Sequence, residues 1–113
     1  SQVEELEAFM MEQLKVFPND FVVVSGDMNS LPDDPAIVKM KESFGDAWLE
    51  AGGGGDGATF PAEKPHSRID YVFTPLDHSA AGGGLIAIDA QVINSTSSDH
   101  RPLFVTVAPV TLI

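Results

Sequence analysis

Phe21-Val22-Val23-Val24 runs almost directly into Gly26-Asp27-Met28-Asn29, and this junction of apolar run with acidic turn occurs twice more in the chain. Arg68-Ile69-Asp70-Tyr71 opens into Val72-Phe73, and Ser98-Asp99-His100-Arg101-Pro102 leads into Leu103-Phe104-Val105. Short β-rich runs bounded by Gly, Pro, Asn and Ser are the mark of strands. Strand ends are where a sheet delivers side chains to a site. Two carboxylates, a carboxamide and a carboxylate–imidazole pair meeting there would suit metal-assisted hydrolysis of a phosphate ester.

The rest of the chain supports an α/β sheet with flanking helices. Val3, Leu6, Phe9, Met10, Leu14 and Phe17 recur in helical steps over residues 2–16, and Pro18-Asn19-Asp20 ends the helix. The unbroken Phe21–Val24 run predicts a central strand covered on both faces. Leu31-Pro32-Asp33-Asp34-Pro35 predicts a turn in which Asp33 or Asp34 caps a helix over 36–42. Phe44 to Leu49 is expected to pack back on the core, with Trp48 and Tyr71 as core residues and Met28 turned into the fold. Gly52 to Gly57 predicts a flexible loop, and 80–84 a second one. Leu85 to Ile93 alternates as a half-buried strand, and Leu103 to Val107 closes the sheet. His66 and His78 lie in polar loops and are read as exposed; Asp56 is read as a loop residue.

Composition narrows the function classes. Seventeen acidic residues against six basic ones give a formal net charge of −11. Proteins that grip nucleic acid usually carry a basic patch, because phosphate neutralisation supplies much of their affinity. None is visible, so a phosphorylated small-molecule or lipid substrate is expected over a long duplex. The chain has no cysteine, which excludes thiolate metal sites and cysteine nucleophiles. No apolar stretch approaches the ~20 residues of a membrane span. Asn94-Ser95-Thr96 matches a glycosylation acceptor and is read as an ordinary loop.

Taken singly, each motif is plain turn chemistry. Gly, Asp and Asn favour strand-to-loop turns, Ser98-Asp99 suits a turn cap, and Arg68 with Asp70 reads as a surface ion pair worth little. All three in order, each on its predicted element, resemble the C-terminal half of the endonuclease/exonuclease/phosphatase superfamily. That group includes DNase I-like nucleases, inositol-polyphosphate 5-phosphatases and neutral sphingomyelinases. Thr59-Phe60-Pro61 is similar to a segment that precedes the second motif in the family.

The resemblance implies a mixed β-sheet with flanking helices, one half of a DNase I-like four-layer α/β sandwich, over residues 1–113. It implies a Mg²⁺- or Mn²⁺-dependent phosphodiesterase, phosphatase or nuclease. Asp27 would orient or deprotonate the attacking water, and Asn29 would bond the phosphate through its amide. Asp99 would be a metal ligand, and Asp27 a second. His100 would contact phosphoryl oxygens or act as acid and base, with Asp70 holding its ring N–H. The family's N-terminal half, with its metal-binding Glu, is not in these residues. This half alone is therefore expected to be inactive, and its sheet to need cover from that half or from a second copy in a homodimer. A non-catalytic binding or assembly half-domain is the alternative.

Overall fold

A computed structural model describes residues 2–16, 22–76 and 84–110 of the chain. Helix α1 spans Gln2–Val16, with Glu4 and Glu5 in its first turn and Lys15 in its last, charges that suit the helix dipole. Its inward stripe is Val3, Leu6, Met10 and Leu14, in steps of three and four. Phe9 falls beside that stripe and is 59% exposed, so it is not part of the core face as expected. Phe17 and the stop at 18–20 lie outside the described residues, as does His78.

Strand β1 (Val24–Asp27) is followed by α2 (Pro35–Met40), β2 (Phe44–Asp46) and the single turn α3 (Ala47–Glu50). The Asp34 side chain accepts from Ala36 N at 2.9 Å and caps α2, with proline at the first helical position. Asp46 does the same for α3 through Trp48 N at 3.2 Å. Strands β3 (Asp70–Pro75), β4 (Gly84–Val92) and β5 (Leu103–Val110) complete the described elements. The fold is mixed α/β.

The strands form two sheets rather than one closed by the last strand. Among the described residues, β1, β3 and β2 make a three-stranded antiparallel sheet in that order, and β4 pairs only with β5. Glu50 joins the two sheets, because its carboxylate accepts from Ala87 N at 2.6 Å, beside the irregularity between Ala87 and Asp89 in β4.

β1 is also not a central strand. Among the described residues it pairs on one side only, with β3, and of its four residues only Val24 is buried. Val22 is half-buried and Val23 is 45% exposed. An all-apolar run shows that cover is wanted on both faces; it does not show which strands supply it.

The core lies between the three-stranded sheet and helices α1 and α2. Tyr71 and Phe73, two apart on β3, point to the same face and stack with ring centroids 5.3 Å apart. Phe44, Val24, Ile37, Met40, Val3 and Met10 close around them, and Met28 packs against the group as expected. The even-numbered residues of β3 at its start, Asp70 and Val72, therefore face the other way. That is the face on which the site is built.

The glycine-rich stretch does form a loop, but it is not free of the fold. A Cβ on Gly53 would lie 2.6 Å from the Trp48 ring, and one on Gly57 (φ +72°) 2.8 Å from it. Glycine is required at both by close approach to the indole, and at Gly57 by its left-handed backbone as well.

Candidate active site

Antiparallel pairing sets Asp27 directly opposite Asp70. Cross-strand partners project to one face about 5 Å apart, and like charges so placed repel. A cationic group between them relieves that repulsion, and His100 is there. Its Nδ1 lies 2.7 Å from Asp70 Oδ2 and its Nε2 lies 3.5 Å from Asp27 Oδ2. One ligand atom from each of the three residues falls within 4.8 Å of the others.

The hydrogen bond that His100 Nδ1–H donates to Asp70 raises the pKa of His100 above its ordinary 6.5. Partial desolvation opposes the shift, and the charges of Asp70, Asp27 and Asp99 add to it. An imidazole hydrogen-bonded to one carboxylate through Nδ1 and facing a second at 3.5 Å through Nε2 is favoured in its imidazolium form.

Each side chain is set by its own local structure. Asp27 Oδ1 accepts from Asn29 N at 2.8 Å, an Asx-type turn that places Asn29 at φ 47°, a left-handed conformation asparagine tolerates. Met28 N donates to Ile69 O at 2.9 Å, and Tyr71 Oη donates to Ser30 O at 2.7 Å, so the turn is tied to β3 and its approach. Burial pushes the Tyr71 pKa well above its ordinary value, keeping the hydroxyl a donor. Asn29 is exposed, two residues from Asp27, and is not among the three groups that converge.

His100 stands in the loop between β4 and β5. Asp99 is exposed; its carboxylate accepts from Ser98 Oγ at 3.2 Å and is not one of the three groups that converge within 4.8 Å. His66 is exposed as expected, beside Ser67 Oγ. Asp56 caps its own turn through Ala58 N.

A cleft of about 380 Å³ opens beside the dyad, lined by Ser25, Asp70, Val72, Ser98, His100 and Arg101 among others. It is wide enough for a phosphate ester and presents imidazole and carboxylate together. Such a set can donate to a phosphoryl oxygen, hold a proton and offer oxygen ligands to a hard cation.

A model of the Endonuclease/Exonuclease/phosphatase family matches residues 12–100 of the 113, which takes in all of Asp27, Asn29, Asp70, Asp99 and His100. The chain belongs to that family. Membership in the endonuclease/exonuclease/phosphatase family makes it a member of a hydrolase superfamily of phosphoesterase and nuclease type, whose enzymes generally use divalent metals. No curated protein and no solved structure gives a significant match.

Two residues of this site escaped the sequence. Arg68 is not a surface partner of Asp70; it is buried, bonds Asp46, and lies with its guanidinium carbon 4.9 Å from the Tyr71 ring centroid. Thr59 is fully buried and donates to Asp70 Oδ2 at 2.5 Å. A threonine beside a Phe-Pro pair carries no signal that its hydroxyl serves a carboxylate eleven residues on.

Proposed function

We propose that this chain carries part of the active site of a Mg²⁺- or Mn²⁺-dependent phosphoesterase, with Asp27, Asn29, Asp70 and His100 as catalytic groups. The observation that carries the reading is the meeting of Asp27, Asp70 and His100 from three separated motifs beside one cleft.

The donor chemistry suits a hard cation. Mg²⁺ prefers carboxylate oxygens and retains several waters, so few protein ligands suffice. Asp27, whose side chain is 45% exposed, and the exposed Asp99 would hold it. His100 would not, since an imidazolium has no lone pair to give. The ion would stabilise charge on the phosphoryl oxygens.

The chain's own groups do the rest. Asp27 orients the attacking water and receives its proton. Asn29, exposed two residues beyond Asp27, would donate its amide to a phosphoryl oxygen. His100 Nε2, which faces Asp27 at 3.5 Å, would donate instead to a phosphoryl oxygen of bound substrate, while Asp70 holds Nδ1–H and fixes the ring. The net charge of −11 favours a phosphorylated small molecule or lipid over long nucleic acid.

By the resemblance, residues 1–113 form the C-terminal half of a DNase I-like sandwich, and turnover requires the half that brings the remaining metal ligand. The second reading, a non-catalytic binding or assembly half-domain, is favoured by the apolar side chains left open on and beside the strands, Ile88, Phe104 and Val23 among them.

The deciding experiment assays phosphodiester and phosphomonoester hydrolysis by the intact domain with Mg²⁺ and with EDTA. Metal-dependent turnover is expected. Turnover that resists EDTA overturns the metal assignment, and none on any phosphate ester favours the assembly reading.

A further inference from the structure

A buried hydroxyl normally satisfies a nearby backbone carbonyl. Thr59 instead donates to Asp70 Oδ2 at 2.5 Å, the same oxygen that His100 Nδ1 meets at 2.7 Å. Hydrogen bonds to an ionised acceptor are shorter and roughly twice as strong as neutral ones. Two donors converging on one oxygen also remove the carboxylate's freedom to rotate. Asp70 is thus aimed at His100 by a group outside the pair.

The residues that follow hold the other partner. The Phe60 ring lies 4.9 Å from the His100 ring, centroid to centroid, tilted by 44°. Arg101 N donates to Thr59 O at 2.7 Å, and Ala62 N donates to Asp99 O at 2.7 Å. Arg101 Nε donates to Ala62 O, again at 2.7 Å. These bonds belong to no helix and to no named strand. They bind residues 59–62 to the residues on either side of His100. The same four-residue segment therefore touches the carboxylate through a hydroxyl and the imidazole through its ring face and its flanking backbone.

We propose that Thr59 is a positioning residue for the Asp70–His100 pair, and that residues 59–62 act as the clasp that sets the pair's geometry. The effect on turnover rests on the phosphoesterase reading above; the effect on the pair does not.

The test compares Thr59→Val, which keeps shape and removes the donor, with Thr59→Ser, which keeps the donor and removes a methyl. Proton and nitrogen NMR of the His100 imidazole reads the pair directly. The parent protein should show a strongly downfield Nδ1–H resonance. Thr59→Val should move it upfield or broaden it by exchange, while Thr59→Ser retains it. In the active domain, Thr59→Val should lower kcat by roughly ten- to a hundredfold, the usual loss for a group that orients a first-contact residue. KM should change little, and Thr59→Ser should recover most of the rate.

A folded Thr59→Val protein with the resonance unmoved overturns the proposal. So does a folded Thr59→Ser protein that loses it, because the donor would then be irrelevant. If the Val variant does not fold, the Ser variant alone decides by the same criterion. Absence of turnover in every variant, with the resonances behaving as stated, removes the phosphoesterase reading and leaves the clasp standing.

Discussion

Asp70 and His100 are 30 residues apart in the chain and joined by a hydrogen bond of 2.7 Å, with Asp27 facing the other imidazole nitrogen. The folded-state pKa of His100 is raised above 6.5, chiefly by that bond. A raised histidine pKa stabilises the fold fully below the unfolded value, and the contribution is lost as pH rises through the folded pKa. NMR titration of His100 in metal-free protein should give a midpoint above 6.5, and Asp70→Asn should lower it. Unfolding free energy should fall as pH rises through that midpoint in the parent and less so in the variant. A parent midpoint at or below 6.5 would sink the imidazolium reading.

In the intact domain, Asp27→Asn and His100→Ala should each reduce hydrolysis by ~10²–10⁴-fold, the range for single acid–base or electrostatic groups. Asn29→Ala should cost less, since it removes one hydrogen-bond donor and spares the proton-carrying groups. Initial rates at saturating Mg²⁺ check all three. Near-parental rates for Asp27→Asn or His100→Ala would remove that residue from the mechanism.

Much of this site could be read in the sequence because its parts are local. Asp34 caps α2 because Asp before Pro-Ala at a helix start has few other uses, and the α1 stripe follows from spacing alone. The meeting of Asp70 with His100 was legible only through the family resemblance, because Asp70 opens β3 and His100 stands in the loop before β5, and those strands belong to different sheets. What could not be read depends on partners far apart in sequence. The pairing of β4 with β5 as a separate sheet, the edge position of β1, and the choice of Asp46 over Asp70 by Arg68 leave no local period or spacing.

Arg68 and Asp46 supply a stability test. Both are buried, their ion pair links the approach to β3 with the start of α3, and Asp46 Oδ2 has no hydrogen-bond partner of its own. Removing one partner strands the other charge, which typically costs ~3–5 kcal/mol. Arg68→Ala should lower the urea midpoint by that measure and disturb the Trp48 fluorescence at α3. A loss near the ~0–1 kcal/mol of a surface pair would show that water reaches the site.

The close approach of glycine to Trp48 supplies another. Alanine at Gly53 would place its Cβ 2.6 Å from the indole, and the ring, 6% exposed, has little room to retreat. Overpacking of this kind costs ~1–3 kcal/mol. Gly54→Ala, where a Cβ meets nothing within 4 Å, is the control and should be close to neutral. Equal melting temperatures for the two variants would mean that the loop does not rest on the indole in solution.

The open apolar side chains make the last prediction. Val23 on the approach to the edge strand is 45% exposed, and Ile88 and Phe104 on the β4–β5 pair are each 57% exposed. Isolated exposed apolar residues are ordinary, but edge strands that carry them invite pairing with another chain. β1 has one hydrogen-bonding edge without a partner among the described residues, so both edge and side chains are available. The 113-residue chain alone should therefore associate at micromolar concentration, most simply as a two-fold dimer. Joined to the N-terminal half proposed above, it should become monomeric. Sedimentation velocity over a concentration series checks both states, with Val23→Thr weakening the self-association. A chain that stays monomeric alone, with β1 amides already protected from hydrogen exchange, would show that its own residues cover the edge.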